Sequence, residues 1–258
     1  FNYAQYLAEA VDSALGQRYP RIEVVVVDDG STDDTLAVLE AYGESIRVLT
    51  QERGGPARAR NRGAAVARGE FIVFLDADDV LEDAFVERCL TPLQSDSTLA
   101  FTYCQTRFFG ASSGVSAWPE YDLERLKLSN FINVSALIRA DVVRRLPFDP
   151  RLRLGLEDWD FYLGLAELGW AGARVNEPLL RYRRHSESRS ARMATDYASE
   201  LSAQASIVRK HRALYSAWGY SRLQGKLLRR QLKLKLKRAI GLDGQPRVSV
   251  LPGERGAT

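Results

Sequence analysis

Phe71-Ile72-Val73-Phe74-Leu75-Asp76-Ala77-Asp78-Asp79 passes from five apolar residues to three carboxylates within four positions. An unbroken apolar run of this length reads as a strand buried on both faces, the type found in parallel sheets. Carboxylates repel one another and cost much to desolvate, so a buried strand ending this way calls for a counter-charge. A divalent cation supplies one, because hard cations prefer oxygen ligands. The plain alternative is a strand that exits into a solvated polar turn.

Upstream, strand and helix signals alternate. Tyr3 to Gln17 predicts an amphipathic helix with Tyr6, Leu7, Ala10, Val11, Ala14 and Leu15 on one face, stopped by Tyr19-Pro20. Ile22 to Val27 is a β-branched run that ends in Asp28-Asp29-Gly30-Ser31-Thr32-Asp33. A helix is expected from about Asp34 to Tyr42, N-capped by Ser31, Thr32 or Asp33. A short strand follows at Ile46 to Leu49, then the Gly54-Gly55-Pro56 loop and an Ala/Arg-rich helix from Ala57 to Ala67. The order predicts an α/β fold with a doubly wound, mostly parallel sheet. Ligands of such sheets bind beyond the carboxyl ends of the strands. Both acidic clusters lie at such ends and can face one cleft.

The second half is less regular. Extended structure is expected over Leu99 to Phe109, Phe131 to Ile138 and Ala173 to Tyr182, with helices at Asp141 to Leu146 and Leu156 to Leu168. From about Thr195 the chain reads as helical to Ile240, and a frayed tail is expected beyond Gly241. The expected division is a domain over 1–194 and a basic helical extension over 195–258.

The bulk numbers suit one large α/β domain with an appendage: 258 residues with a formal net charge of +3. That weak charge gives no ground for specific nucleic-acid binding. Cys89 and Cys104 fall in no paired redox or metal spacing, which favours a reducing, cytoplasmic setting. No apolar run is long enough to span a bilayer.

Five ordered blocks carry a resemblance over roughly residues 1 to 190. They are Phe1-Asn2 with Tyr6-Leu7 and Gln17; Val27 to Asp33; Gly55 with Ala59-Arg60-Asn61 and Gly63; Gly69-Glu70 leading into Leu75 to Asp79; and Glu157-Asp158 with Gly169, followed by Tyr182-Arg183 and His185. In this order and spacing the chain resembles the family 2 glycosyltransferases, which have the GT-A fold and invert the anomeric centre. The family pattern places one more strand, inside the sheet, just ahead of Phe1. If nothing precedes Phe1, the resemblance implies an unfilled slot in the sheet.

The resemblance implies that Phe1, Asp29, Arg60, Asp76 and Asp78 bind a nucleotide-sugar, with Asp29 accepting the ring N–H of a uracil-type base. Capping is the alternative for the turn after Asp29, and a structural ion pair with an acid of the cleft is the alternative for Arg60. Asp78 and Asp79, with His185, would hold Mg²⁺ or Mn²⁺ against the diphosphate, while Asp76 contacts ribose or orients the loop. Asp158 would be the catalytic base, with Glu157 positioning it or the acceptor. Favouring a helix N-terminus is the alternative for both acids. Trp118, Tyr121 and Trp159 either stack on a sugar or belong to the core.

The implied activity is metal-dependent transfer from a nucleoside-diphosphate sugar, UDP-linked by preference, to a glycan or lipid-linked acceptor. A sugar-phosphate nucleotidyltransferase and an inactive transferase fold that binds membrane or nucleic acid are the other readings. Arg222 to Arg238 carries many Lys and Arg and no acid. As a helix within 222–240 it would either lie peripherally on the inner face of the cell membrane or be a solvated helix packed on the domain.

Overall fold

A computed structural model of the chain describes residues 1–152, 155–186 and 197–239. Helix α1 (Ala4–Leu15) buries Leu7, Ala10 and Val11, the face its periodicity predicts. It is followed by β1 (Val25–Asp28), α2 (Thr35–Glu40), β2 (Arg47–Thr50), α3 (Pro56–Val66) and β3 (Phe71–Val73). The expected elements are all present in this half, with ends trimmed or shifted by one to three residues. Next come β4 (Val80–Leu81), α4 (Phe85–Ser95), β5 (Leu99–Gly110), β6 (Gly114–Val115), α5 (Leu123–Leu126), β7 (Leu137–Arg139), α6 (Ala140–Arg145), α7 (Glu157–Glu167) and β8 (Ala171–Arg184).

The strands form two hydrogen-bonded sheets. One is the parallel pair β1–β2; the other runs β3-β7-β5-β8-β4, with β6 paired to the outer part of β5. The long β5–β8 ladder is parallel and dominates the pairing, while β7 is antiparallel to β3 and β5, and β4 to β8. Among the described residues no strand lies between β1 and β3. Helix α3 carries Arg60, whose guanidinium reaches Asp76 after β3.

Two segments differ from expectation. Phe131 to Ile138 is extended only in its last residues, since Asn130 and Asn133 fold the stretch into side-chain-capped turns on Ile132 N and Ser135 N. Helix α4, where no element was expected, buries Phe85, Val86, Cys89, Leu90 and Leu93 despite Pro92 inside it. Its helical spacing is the stronger force, because the buried face offsets the one backbone bond that Pro92 removes.

The helical tail is two helices rather than one. Helix α8 (Tyr197–Lys210) ends at a tight turn, Arg212–Leu214, and α9 (Ala217–Ala239) follows. Leu201, Ile207, Val208, Tyr215 and Leu227 join the same buried cluster as Phe101, Tyr103, Trp159 and Tyr162. The expected tail beyond Gly241 lies outside the described residues.

A charged seam holds this tail to α7. His211, 3% exposed, sits with Nε2 3.0 Å from Asp160 Oδ1 and Nδ1 2.9 Å from Glu167 Oε2. Lys210 Nζ lies 2.7 Å from Asp160 and 3.2 Å from Asp149, which Arg151 also grips. Burial alone would lower the His211 pKa, but the Asp160 and Glu167 carboxylates outweigh it and raise the value. A raised folded value means the stabilisation is complete below the unfolded pKa of about 6.5 and fades as pH rises through the folded value. His211→Gln therefore costs about 1.5–3 kcal/mol at pH 6, the worth of hydrogen bonds to charged groups. Denaturant titrations of both proteins from pH 6 to 9 should converge; a constant gap would mean that His211 is neutral in the fold.

Candidate active site

The acidic strand end forms a tight loop. Asp79 N donates to Asp76 O, and the ligand atoms of Asp76, Asp78 and Asp79 all lie within 4.8 Å of one another. Asp79, 2% exposed, accepts from Arg183 N at 2.9 Å, while Arg183 Nε donates to Asp78 O at 3.0 Å. The end of β8 thus closes over the loop. His185 extends this closure: its Nε2 lies 3.0 Å from Asp78 Oδ2, and its ring packs against Tyr3 and Tyr6 of the α1 entry. Burial, then the charge of Asp76, raises the pKa of Asp78. Burial, then Asp76 and Asp78, raises that of Asp79 further. The fold therefore holds together negative groups whose repulsion a divalent cation would relieve, and their donor atoms are the hard oxygens that Mg²⁺ and Mn²⁺ take.

Arg60 connects this loop to the second acidic pair. It is buried on α3, with Nη2 2.6 Å from Asp76 Oδ1 and Nη1 2.7 Å from Glu157 Oε1. Burial would favour loss of its proton, but Asp76 and Glu157 hold it charged. Glu157 is wholly buried. The ion pair expected as the alternative for Arg60 is thus present, and it brings residues 60, 76 and 157 together.

Two left-handed residues, Gly155 at φ +94° and Leu156 at φ +67°, lead into α7. That conformation is strained for leucine and costs of order 1–3 kcal/mol. It delivers Glu157 inward and Asp158 to a half-buried position at the first turn, where Asp158 Oδ1 accepts from Trp159 N at 2.8 Å. Beneath it, Asn61 on α3 exchanges two hydrogen bonds with the backbone of Phe148, at 2.8 and 2.9 Å, and so fixes the approach to α7.

On the other side of the cleft, Asp29 Oδ1 accepts from Gln51 Nε2 at 2.6 Å and Gly54 N at 2.7 Å, and Oδ2 from Gly55 N at 2.7 Å. Asp29 thereby shapes the 51–55 loop, a part its sequence context did not reveal. Gly30 makes the close approach possible: at φ +77°, an added Cβ would meet Gln51 O and Arg53 N at 3.1 Å. Phe1 lies beside this loop with the Arg53 guanidinium 3.9 Å from its ring centre. Asp28 accepts the turn amide of Ser31, and Asp33 accepts from Thr35 N and from Ala4 N of α1; the N-cap of α2 is Asp34, without a side-chain capping bond, so the expected cap by Ser31, Thr32 or Asp33 is not formed.

All three aromatic candidates pack on the core. Trp159 is 3% exposed and donates Nε1 to Leu126 O, so it serves the core. Trp118 and Tyr121 also pack on the core, Trp118 with Nε1 on Thr106 Oγ1. Gln51, Arg53 and Tyr3 are the nearby residues to which the sequence reading gave no role; none carries a local signal, since each meets its partner through the fold.

The model of the family described as "Glycosyl transferase family 2" matches residues 1–143. The chain belongs to that family. The fold is the GT-A fold that the resemblance implied. Among curated relatives, the chondroitin synthase of Pasteurella multocida (strain Pm70) is 34% identical over 179 residues, which cover 66% of this chain and 18% of that protein. The chondroitin synthase of Escherichia coli is 31% identical over 176 residues, covering 66% of this chain and 26% of that one. The family 2 chain thus spans about a fifth to a quarter of the length of these relatives. Solved structures with the same fold include S. aureus TarS 1-349 in complex with UDP-GlcNAc, at TM-score 0.68 and 19% identity, covering 93% of this chain and 73% of that one. The mannosyltransferase PcManGT from Pyrobaculum calidifontis, in complex with GDP-Man and Mn²⁺, superposes at TM-score 0.64 and 19% identity, covering 95% and 74%.

Proposed function

We propose that this chain is a metal-dependent inverting glycosyltransferase that moves a sugar from a nucleoside-diphosphate donor to a hydroxyl of a glycan or lipid-linked acceptor. The observation that supports the reading is the Arg60 bridge, whose guanidinium joins Asp76 of the acidic loop to Glu157, the neighbour of Asp158. The UDP-GlcNAc and GDP-Man bound by fold neighbours support a nucleotide-sugar donor. In this reading residues 1–194 form the transferase domain and 195–258 a helical extension.

Phe1, the 51–55 loop and Asp29 hold the base; Asp29 Oδ2 takes one described donor and retains capacity for a ring N–H. Asp76 and Asp78 face the ribose and diphosphate. Asp78 and Asp79, with His185 beside them, would hold Mg²⁺ or Mn²⁺, which when bound offsets the charge that builds on the departing diphosphate. Asp158 takes the proton of the acceptor hydroxyl as that oxygen bonds to the anomeric carbon. The bond from that carbon to the diphosphate oxygen breaks, and its electron pair leaves with the diphosphate. Glu157, neutralised by Arg60, orients the helix end that carries Asp158.

Calorimetry of UDP binding tests the donor and metal assignment. With Mn²⁺ the Kd should be at least about tenfold lower than in a chelator, and Asp78→Asn should remove the difference, since that carboxylate and the donor phosphates would share the metal. Equal affinity under both conditions sinks the metal role.

A further inference from the structure

The outward face of α9 is not that of an ordinary solvated helix. Its inner side, Tyr220, Leu223 and Leu227, packs on the domain core. Trp218, Leu228 and Leu232 point away, exposed by 71%, 56% and 50%. Trp218, Arg222, Arg229 and Leu232 recur four, seven and three residues apart and so share one stripe of the helix; Leu228 borders it on one side, Lys226 and Arg230 on the other. All four of these cations are exposed, the Arg222 guanidinium lies 5.1 Å from the Trp218 ring centre, and no acid occurs between Arg222 and Arg238. A helix that only needed solubility would place polar residues where Trp218, Leu228 and Leu232 stand.

We propose that this face docks on an anionic lipid bilayer, with α9 lying in the interface plane. Trp218, Leu228 and Leu232 enter the headgroup region, and Arg222, Lys226, Arg229 and Arg230 pair with lipid phosphates. The split into apolar and cationic flanks on one exposed side is the chemistry such a surface selects: tryptophan is favoured at the headgroup level, and long basic side chains reach past it to the phosphates. Among the described residues no helix is long and apolar enough to cross a membrane; the proposed contact is that of a helix lying in the interface. Tyr215, at the turn before α9, bonds through its hydroxyl to Lys127 O beside α5, and Trp159 next to Asp158 bonds to Leu126 O in α5. These two bonds join the turn before α9, by way of α5, to the start of α7 that carries Asp158.

Sedimentation of the full chain with vesicles tests this. Vesicles of phosphatidylglycerol and phosphatidylcholine should carry the chain down, and phosphatidylcholine alone should not. R222Q/R229Q should weaken partitioning about 30-fold, and W218S/L232S should weaken it at least about tenfold. The UDP affinity of each variant is measured in parallel, so loss of folding or failure of the transferase reading is distinguished from loss of lipid binding. Equal binding to both vesicle types overturns the proposal. So does a W218S/L232S variant that binds lipid unchanged, because a purely electrostatic surface would bind RNA or any other polyanion equally.

Discussion

Asp158→Asn lowers the transfer rate by about 10²–10⁴-fold and leaves the UDP Kd within about twofold. The rate loss is the usual worth of a positioned general base. Asparagine keeps the shape, and its carbonyl oxygen can still accept from Trp159 N, as Asp158 Oδ1 does at 2.8 Å; it cannot take a proton from an acceptor hydroxyl. The competing role is purely local, an acid in the first turn of α7 beside Glu157 and Asp160. That role predicts a stability change of about 0.3–1 kcal/mol and an unaltered rate. Single-turnover transfer together with a thermal melt separates the two. A fully active variant with a lowered Tm would remove Asp158 as the base.

Arg60→Met destabilises the fold by about 3–5 kcal/mol, the cost of removing one partner from a buried ion pair. Methionine preserves much of the side-chain volume, so the loss is mostly electrostatic. Glu157, wholly buried, is left without its guanidinium, and Asp76 loses the charge that offsets its neighbours Asp78 and Asp79. Arg60→Lys does not rescue fully, because one ammonium cannot span two carboxylates as the planar fork does. R60M/E157Q recovers part of the loss by removing the stranded charge. Urea denaturation of the three variants provides the measurement. A loss below about 1 kcal/mol for Arg60→Met would mean that the Arg60 bridge does not hold the fold together.

The legible parts of the sequence were those with a period or with charge where charge is costly. Phe71 to Asp79 announced both a buried strand and a site, and α1 and α7 followed from apolar spacing. The Arg60 ion pair was readable as an alternative because an arginine between acids has few other reasons to be buried. Helix α4 went unread because Pro92 argues against a helix locally, while its buried face counts only once β5 and β8 are there to cover it. The roles of Gln51, Arg53 and His211 were hidden for a related reason. Their partners Asp29, Phe1, Asp160 and Glu167 lie 22 to 52 positions away along the chain, beyond any local pattern. The break between α8 and α9 carries no Pro, and its turn is set by the His211 contacts with α7.

The closure of the acidic loop by β8 dictates an order of assembly. Asp78 and Asp79 take Arg183 and His185 as partners across 104 to 107 residues. During synthesis at about 5–20 residues per second, the three acids exist for roughly 5–20 s before those partners do. Throughout that interval the helices and strands of the first half can form from local contacts while the acid loop stays open to water. The centre of the cleft is thus among the last parts of the molecule to be completed, and fragments ending before His185 retain the acids without the frame that gathers them.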